Sequence, residues 1–179
     1  DNKLPAFKEE KEADLFKKIN TTYKKTSILT QASEVFSSLS ISIENLDQSA
    51  KWFNYSHLSF TLKYQAKSTS FIFPVIALNY NLSQITCAFN PLFETTLKKK
   101  DFMGNEKKHF QLELPKNLLN NGVFGVSVFF TDQNSKEKAV YKNVLDFTIS
   151  YSPDEIFQKN YNGNFPGPFL PKSKWILKN

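Results

Sequence analysis

The sequence predicts an all-β chain folded as an antiparallel β-sandwich, and three observations carry that expectation. Seven or more short runs of the 179 residues alternate apolar and polar side chains at roughly even spacing, the pattern of strands with one buried face. Eighteen phenylalanines and seven tyrosines stand against only five glycines, which suits a β-rich domain with a large aromatic core. The third observation is the stretch 122–149, where two long alternating runs flank the polar turn Thr131–Lys136 and read as an antiparallel hairpin. A lone hairpin is marginal in water, so other strands have to cover its apolar face.

Taken in order, residues 4–25 are charged, with Phe7, Leu15, Phe16, Ile19 and Tyr23 at helix-like intervals. Glu9, Glu10 and Glu12 precede Lys17 and Lys18, a placement that suits the helix dipole. The expectation is a helix of moderate amphipathicity, acting as a linker rather than packing on the domain, because a polar run to Gln31 follows it. From Val35 the period becomes two. Leu39, Ile41 and Ile43 alternate with Ser38, Ser40, Ser42 and Glu44 in a half-exposed strand, and Asn45–Asn54 is a loop carrying Trp52.

The next strand turns Leu58, Phe60, Leu62 and Tyr64 inward and His57, Ser59, Thr61, Lys63 and Gln65 outward. The run 71–80 is apolar on both faces, and Pro74 within it argues for an edge or a bulge. Ile85, Cys87 and Phe89 mark a fifth strand that stops at Asn90-Pro91, and 94–108 is a polar loop. A sixth runs from His109 to Leu114, halted by Pro115. In the hairpin, Phe124, Val126, Val128 and Phe130 alternate with Ser127, Phe129 and Thr131. The tail from Ser152 is irregular until Lys174-Trp-Ile-Leu177, a short terminal strand.

A chain of this length buries roughly 70% of its unfolded surface without staples. The one cysteine, Cys87, excludes an intrachain disulfide and reads as a small hydrophobe. No apolar run reaches the ~20 residues of a membrane span and no secretory signal opens the chain, so the compartment is not written in these residues, though nothing takes the chain out of the cytosol. The sequons at Asn20, Asn54 and Asn81 are therefore discounted as chance triplets of an Asn-rich chain. The net charge of +6 comes from lysine alone. With no arginine, the side chain best suited to phosphate forks and guanine edges is missing, and no nucleic-acid partner is expected. Lys98-Lys99-Lys100 and Lys107-Lys108 flank one loop and otherwise the lysines are scattered.

No catalytic constellation emerges. Two histidines, His57 and His109, and one cysteine give no metal-ligand cluster, and neither a G-x-S-x-G elbow nor a phosphate loop occurs. No cofactor, metal or enzymatic activity is expected of this chain.

The order of motifs carries a resemblance. His109-Phe-Gln-Leu-Glu-Leu-Pro115 leads to Leu118-Leu119-x-x-Gly122-x-Phe124-x-Val126-x-Val128, then Phe147–Ile149, then Gly163, Gly167, Pro171 and Trp175. Over about residues 35–177 this resembles the C-terminal domain of Wzt-type ATPase subunits of ABC transporters that export O-antigen polysaccharides. The resemblance implies an immunoglobulin-like antiparallel β-sandwich at 35–179 that binds the finished bacterial polysaccharide. Residues 1–34 would then be a helical lead-in from a nucleotide-binding domain further upstream. It also implies a homodimer with exchanged C-terminal strands, contact with the transporter's membrane subunit through the ATPase domain, and a cytoplasmic place at the inner membrane.

Glycan recognition works through aromatic faces and a few placed hydrogen bonds. If the 57–65 strand and the hairpin share a sheet, their outward residues His57, Thr61, Lys63, Gln65, Ser127, Phe129 and Asp146 form the candidate glycan surface, with Trp52, Tyr55 and Tyr80 as alternative ring platforms. The rival reading is a protein-interaction or assembly sandwich that makes contact through an apolar 71–80 edge.

Overall fold

The computed structural model describes residues 16–20, 23–29, 33–93, 96–134, 136–150 and 168–169. Its nine strands are β1 Phe16–Asn20, β2 Lys24–Leu29, β3 Phe36–Asn45, β4 Leu58–Ala66, β5 Phe73–Tyr80, β6 Gln84–Phe89, β7 Lys108–Glu113, β8 Gly122–Thr131 and β9 Glu137–Ile149. A front sheet takes the order β1-β2-β3-β4-β7 and a back sheet the order β6-β5-β8-β9. Every pairing between these strands is antiparallel. The immunoglobulin-like sandwich expected from the sequence is what forms.

The alternating residues set the core. Phe36, Leu39, Ile41 and Ile43 of β3 and Phe60, Leu62 and Tyr64 of β4 face Phe124, Val126, Val128 and Phe130 of β8 and Leu145 and Phe147 of β9. Ring contacts tie the layers together: Phe36 lies 4.3 Å from Phe130, and Tyr64 meets Phe130 edge-on at 5.1 Å. Trp52, from the β3–β4 loop, is buried against Phe147. Lys25 of β2 reaches across the open flank, donating from Nζ to the Asp146 carbonyl of β9 at 2.7 Å.

Two expectations are corrected. Residues 16–20 and 24–29 are strands, not part of a helix, and they continue the front sheet from β3. Strand pairing overrides local helical periodicity here, because Thr26, Ser27 and Ile28 suit a ladder on β3 better than a helix. The first fifteen residues lie outside those described, as do Lys174–Leu177.

The second correction concerns 71–80. β5 is an inner strand, hydrogen-bonded to β6 and to β8, so it offers no continuous edge to a partner. Pro74 fits because pairing with β6 begins only at Ile76, which leaves the proline beyond the ladder on that flank.

Candidate functional site

The structure divides the predicted surface in two. β4 belongs to the front sheet, whereas β8 and β9 belong to the back sheet. His57, Thr61, Lys63 and Gln65 therefore look out from one side of the sandwich, and Ser127, Phe129 and Asp146 lie on the other. One groove cannot use both sets. The outward period was legible in each strand, but which sheet each joins is set by pairing over long sequence separations.

On the back sheet the predicted residues are already engaged. Ser127 is buried, its Oγ accepting from Asn79 Nδ2 at 2.7 Å and from the Asn143 backbone N–H at 3.0 Å. Asp146 faces Lys25, whose Nζ lies 3.9 Å from its carboxylate. Phe129 is half-buried between Val75 and Val140 in the sheet register, an apolar row rather than a sugar-binding lattice.

The front sheet differs. Its outward residues fall into cross-strand rungs: Thr26, Ser42, Thr61 and Gln111 in one, and Ile28, Ser40, Lys63 and His109 in the next. A third rung holds Lys24, Glu44, Ser59 and Glu113. Neighbours within a rung sit roughly 5 Å apart, so hydroxyl, amide and charged groups repeat across the face at close intervals.

Gln111 is the best-placed polar group. Its Nε2 donates to Ser59 Oγ and to Glu113 Oε1, both at 3.1 Å. Those two acceptors fix which way the exposed amide points. Thr61 stands beside it, half-exposed.

At the loop end of this face, His57 Nε2 lies 3.2 Å from Glu113 Oε2, and its backbone N–H donates to Asp47 Oδ2 at 2.9 Å. Lys116 Nζ reaches Asp47 Oδ1 at 3.3 Å. The hydrogen bond from the His57 backbone, helped by Lys116, holds the Asp47 carboxyl below its ordinary 3.8.

Of the three alternative rings, Trp52 is buried and Tyr80 packs on Phe124, its hydroxyl donating to the Asn121 carbonyl. Tyr55 alone is open, 40% exposed and stacked on Phe53 at 5.3 Å two residues before His57. Gln111, His109, Glu113, Ser40 and Ser42 join the face although the sequence reading did not select them. The signal that finds them is the β4–β7 and β3–β4 register, which the alternation alone does not supply.

No group of three or more His, Cys, Asp or Glu side chains among the described residues converges as a metal site. No described helix is long and apolar enough to cross a membrane.

No protein-family model matches this chain, and no curated protein matches it. A solved structure does: the C-terminal domain of wzt, with a TM-score of 0.57 over 91% of this chain and 89% of that one. The two are 12% identical, so what they share is the fold, across nearly the whole length of both.

Proposed function

We propose that this chain is a non-catalytic carbohydrate-binding domain that recognises a bacterial, O-antigen-like surface polysaccharide for export by an ABC transporter. The observation that carries the reading is the front face, a lattice of hydroxyls and amides with an oriented Gln111, on a sandwich of the wzt C-terminal fold. A polymer without strong charge is held by such groups along its hydroxyls, with Tyr55 offering a ring to sugar C–H faces at the loop end. Thr61, Lys63, Gln65 and Gln111 are the contacts, and the His57–Glu113 pair bounds the strip.

The remainder of the reading follows from the resemblance. An ATP-binding domain lies upstream, with the first residues of this chain joining it to the sandwich. Two copies pair by exchanging C-terminal strands, and the ATPase domain holds them against the transporter's membrane subunit on the cytoplasmic side of the inner membrane. A lone site of this kind with Kd near 1 mM yields only about 4 kcal/mol. Two sites on one repeating polymer gain from effective concentration, so weak contacts and pairing suit one another.

The test is titration of bacterial surface polysaccharides against wild-type chain and three variants by calorimetry. Thr61→Ala and Gln111→Ala each remove about one hydrogen bond worth ~1 kcal/mol, so each lowers affinity about fivefold. Phe129→Leu, on the back sheet, leaves it unchanged. Binding that responds to Phe129→Leu and not to Thr61→Ala would move the site to the other face. A stable complex with another protein and no sugar binding would favour the assembly reading, for which the apolar row Val75, Phe129 and Val140 is the natural contact.

A further inference from the structure

The lysine runs left unused by the sugar-binding face converge in space. The 96–108 loop, the β4–β5 loop and the hairpin turn meet at one end of the sandwich. Lys99 Nζ donates to Gln133 Oε1 of the turn at 3.0 Å, the Gly104 N–H donates to the Thr69 carbonyl, and the Ile72 N–H donates to the Phe102 carbonyl. Phe102 is buried in a ring cluster with Phe71 and Phe73, which anchors the loop.

This packing gathers Lys67, Lys98, Lys99, Lys100, Lys107 and Lys136, all exposed and none paired with a carboxylate among the described residues. Two further lysines there, Lys108 and Lys138, are matched by Glu106 and Asp132. Asp101 is occupied in capping the Lys98 backbone N–H. Glu34 and Glu137 are the other described carboxylates at this end. Met103, 46% exposed, sits in the middle of the loop between the two lysine runs.

We infer that this end docks on an anionic lipid surface. Clustered lysines without arginine are point charges, suited to a diffuse negative plane rather than to bidentate forks. Met103 supplies an apolar side chain to the headgroup boundary. The backbone register places Phe16, the start of β1, opposite Leu29, which in turn pairs with Leu39 near this same end. β1 thus begins near the basic end. The inference stands on charge placement and is independent of sugar binding.

Co-sedimentation of the full chain with vesicles of phosphatidylcholine, with and without phosphatidylglycerol, tests it. Binding is expected only with phosphatidylglycerol and is lost at high salt, where screening shortens the reach of exposed charges. Each lysine near an anionic surface contributes about fivefold, so losing three of them alone is worth on the order of 100-fold, and Lys98→Glu/Lys99→Glu/Lys100→Glu, which reverses the charges, loses at least that. Lys51→Glu/Lys142→Glu, away from this end, retains binding, and circular dichroism confirms that both variants fold. Equal sedimentation with both vesicle types would overturn the inference, as would a triple variant that binds like wild type. Competition by free inorganic phosphate, or tighter binding to duplex DNA than to vesicles, would overturn it too. Lipid vesicles carry no polysaccharide, so failure here leaves the sugar-binding proposal standing.

Discussion

At the scale of single residues, the aromatic core is where the sequence has the most direct energetic consequence. Phe130 touches Phe36, Tyr64 and Tyr141 and is fully buried. Phe130→Ala leaves a cavity between the sheets and is expected to cost about 3–5 kcal/mol, measured by urea unfolding. Cys87 is half-buried on β6, and burial pushes its thiol above the ordinary range. Its thiolate is therefore scarce at neutral pH. A thiol reagent at pH 7 is expected to react slowly with the native chain and quickly in denaturant; equal rates would contradict that placement.

Asp47 supplies the pH dependence. The backbone N–H of His57 lowers its pKa in the fold, so its contribution to stability is present above the unfolded value and disappears as pH falls through the folded one. The group is exposed and solvent screens it, so the contribution is small. Asp47→Asn should remove it, shrinking the stability gap between pH 6 and about pH 3, as read by thermal melts.

At the scale of elements, the strands of the middle were legible and their partners were not. Alternation in β3, β4 and β8 gives inward and outward residues correctly, because a period of two has one solution when one face is buried. It says nothing about which strand lies alongside, and so Thr61 and Phe129 were expected on one surface yet stand on opposite ones. β1 and β2 were misread for a related reason. Phe16, Ile19 and Tyr23 fall at helix-like intervals, but β3 offers a free edge, and pairing there outweighs a weak intrinsic preference.

The β9 irregularity was also beyond the sequence pattern. Val126 pairs with Leu145 and Val128 with Tyr141, so Lys142, Asn143 and Val144 all bulge against Ser127. Asn143 takes φ +48 there and donates from Nδ2 to the Leu82 carbonyl, while its Oδ1 accepts from Asn79. A Cβ on Gly125 would collide with that Oδ1 and crowd Leu82. Asn143→Ala is expected to cost about 1–3 kcal/mol, since it leaves the buried Asn79 amide short of a partner. Gly125→Ala is expected to destabilise by a similar amount, because the collision forces the bulge to shift; denaturant midpoints check both.

At the scale of the whole molecule, the two sheets divide their work. The back sheet carries the hairpin, closes its polar groups on one another at Asn79, Ser127 and Asn143, and completes the core. The front sheet leaves its hydroxyls, its oriented Gln111 amide and Lys63 facing outward. The proposed sugar binding rests on that asymmetry and is expected on the front face only.

The most direct test is a heteronuclear NMR titration of the isotope-labelled chain with bacterial surface polysaccharide. Shifts are expected only in the front-sheet rungs, strongest at Ser42, Thr61, Lys63 and Gln111, with Tyr55 and His57 at the margin. Shifts centred on Val75, Phe129 and Val140, or no shifts at millimolar repeat units of the native polymer, would contradict it.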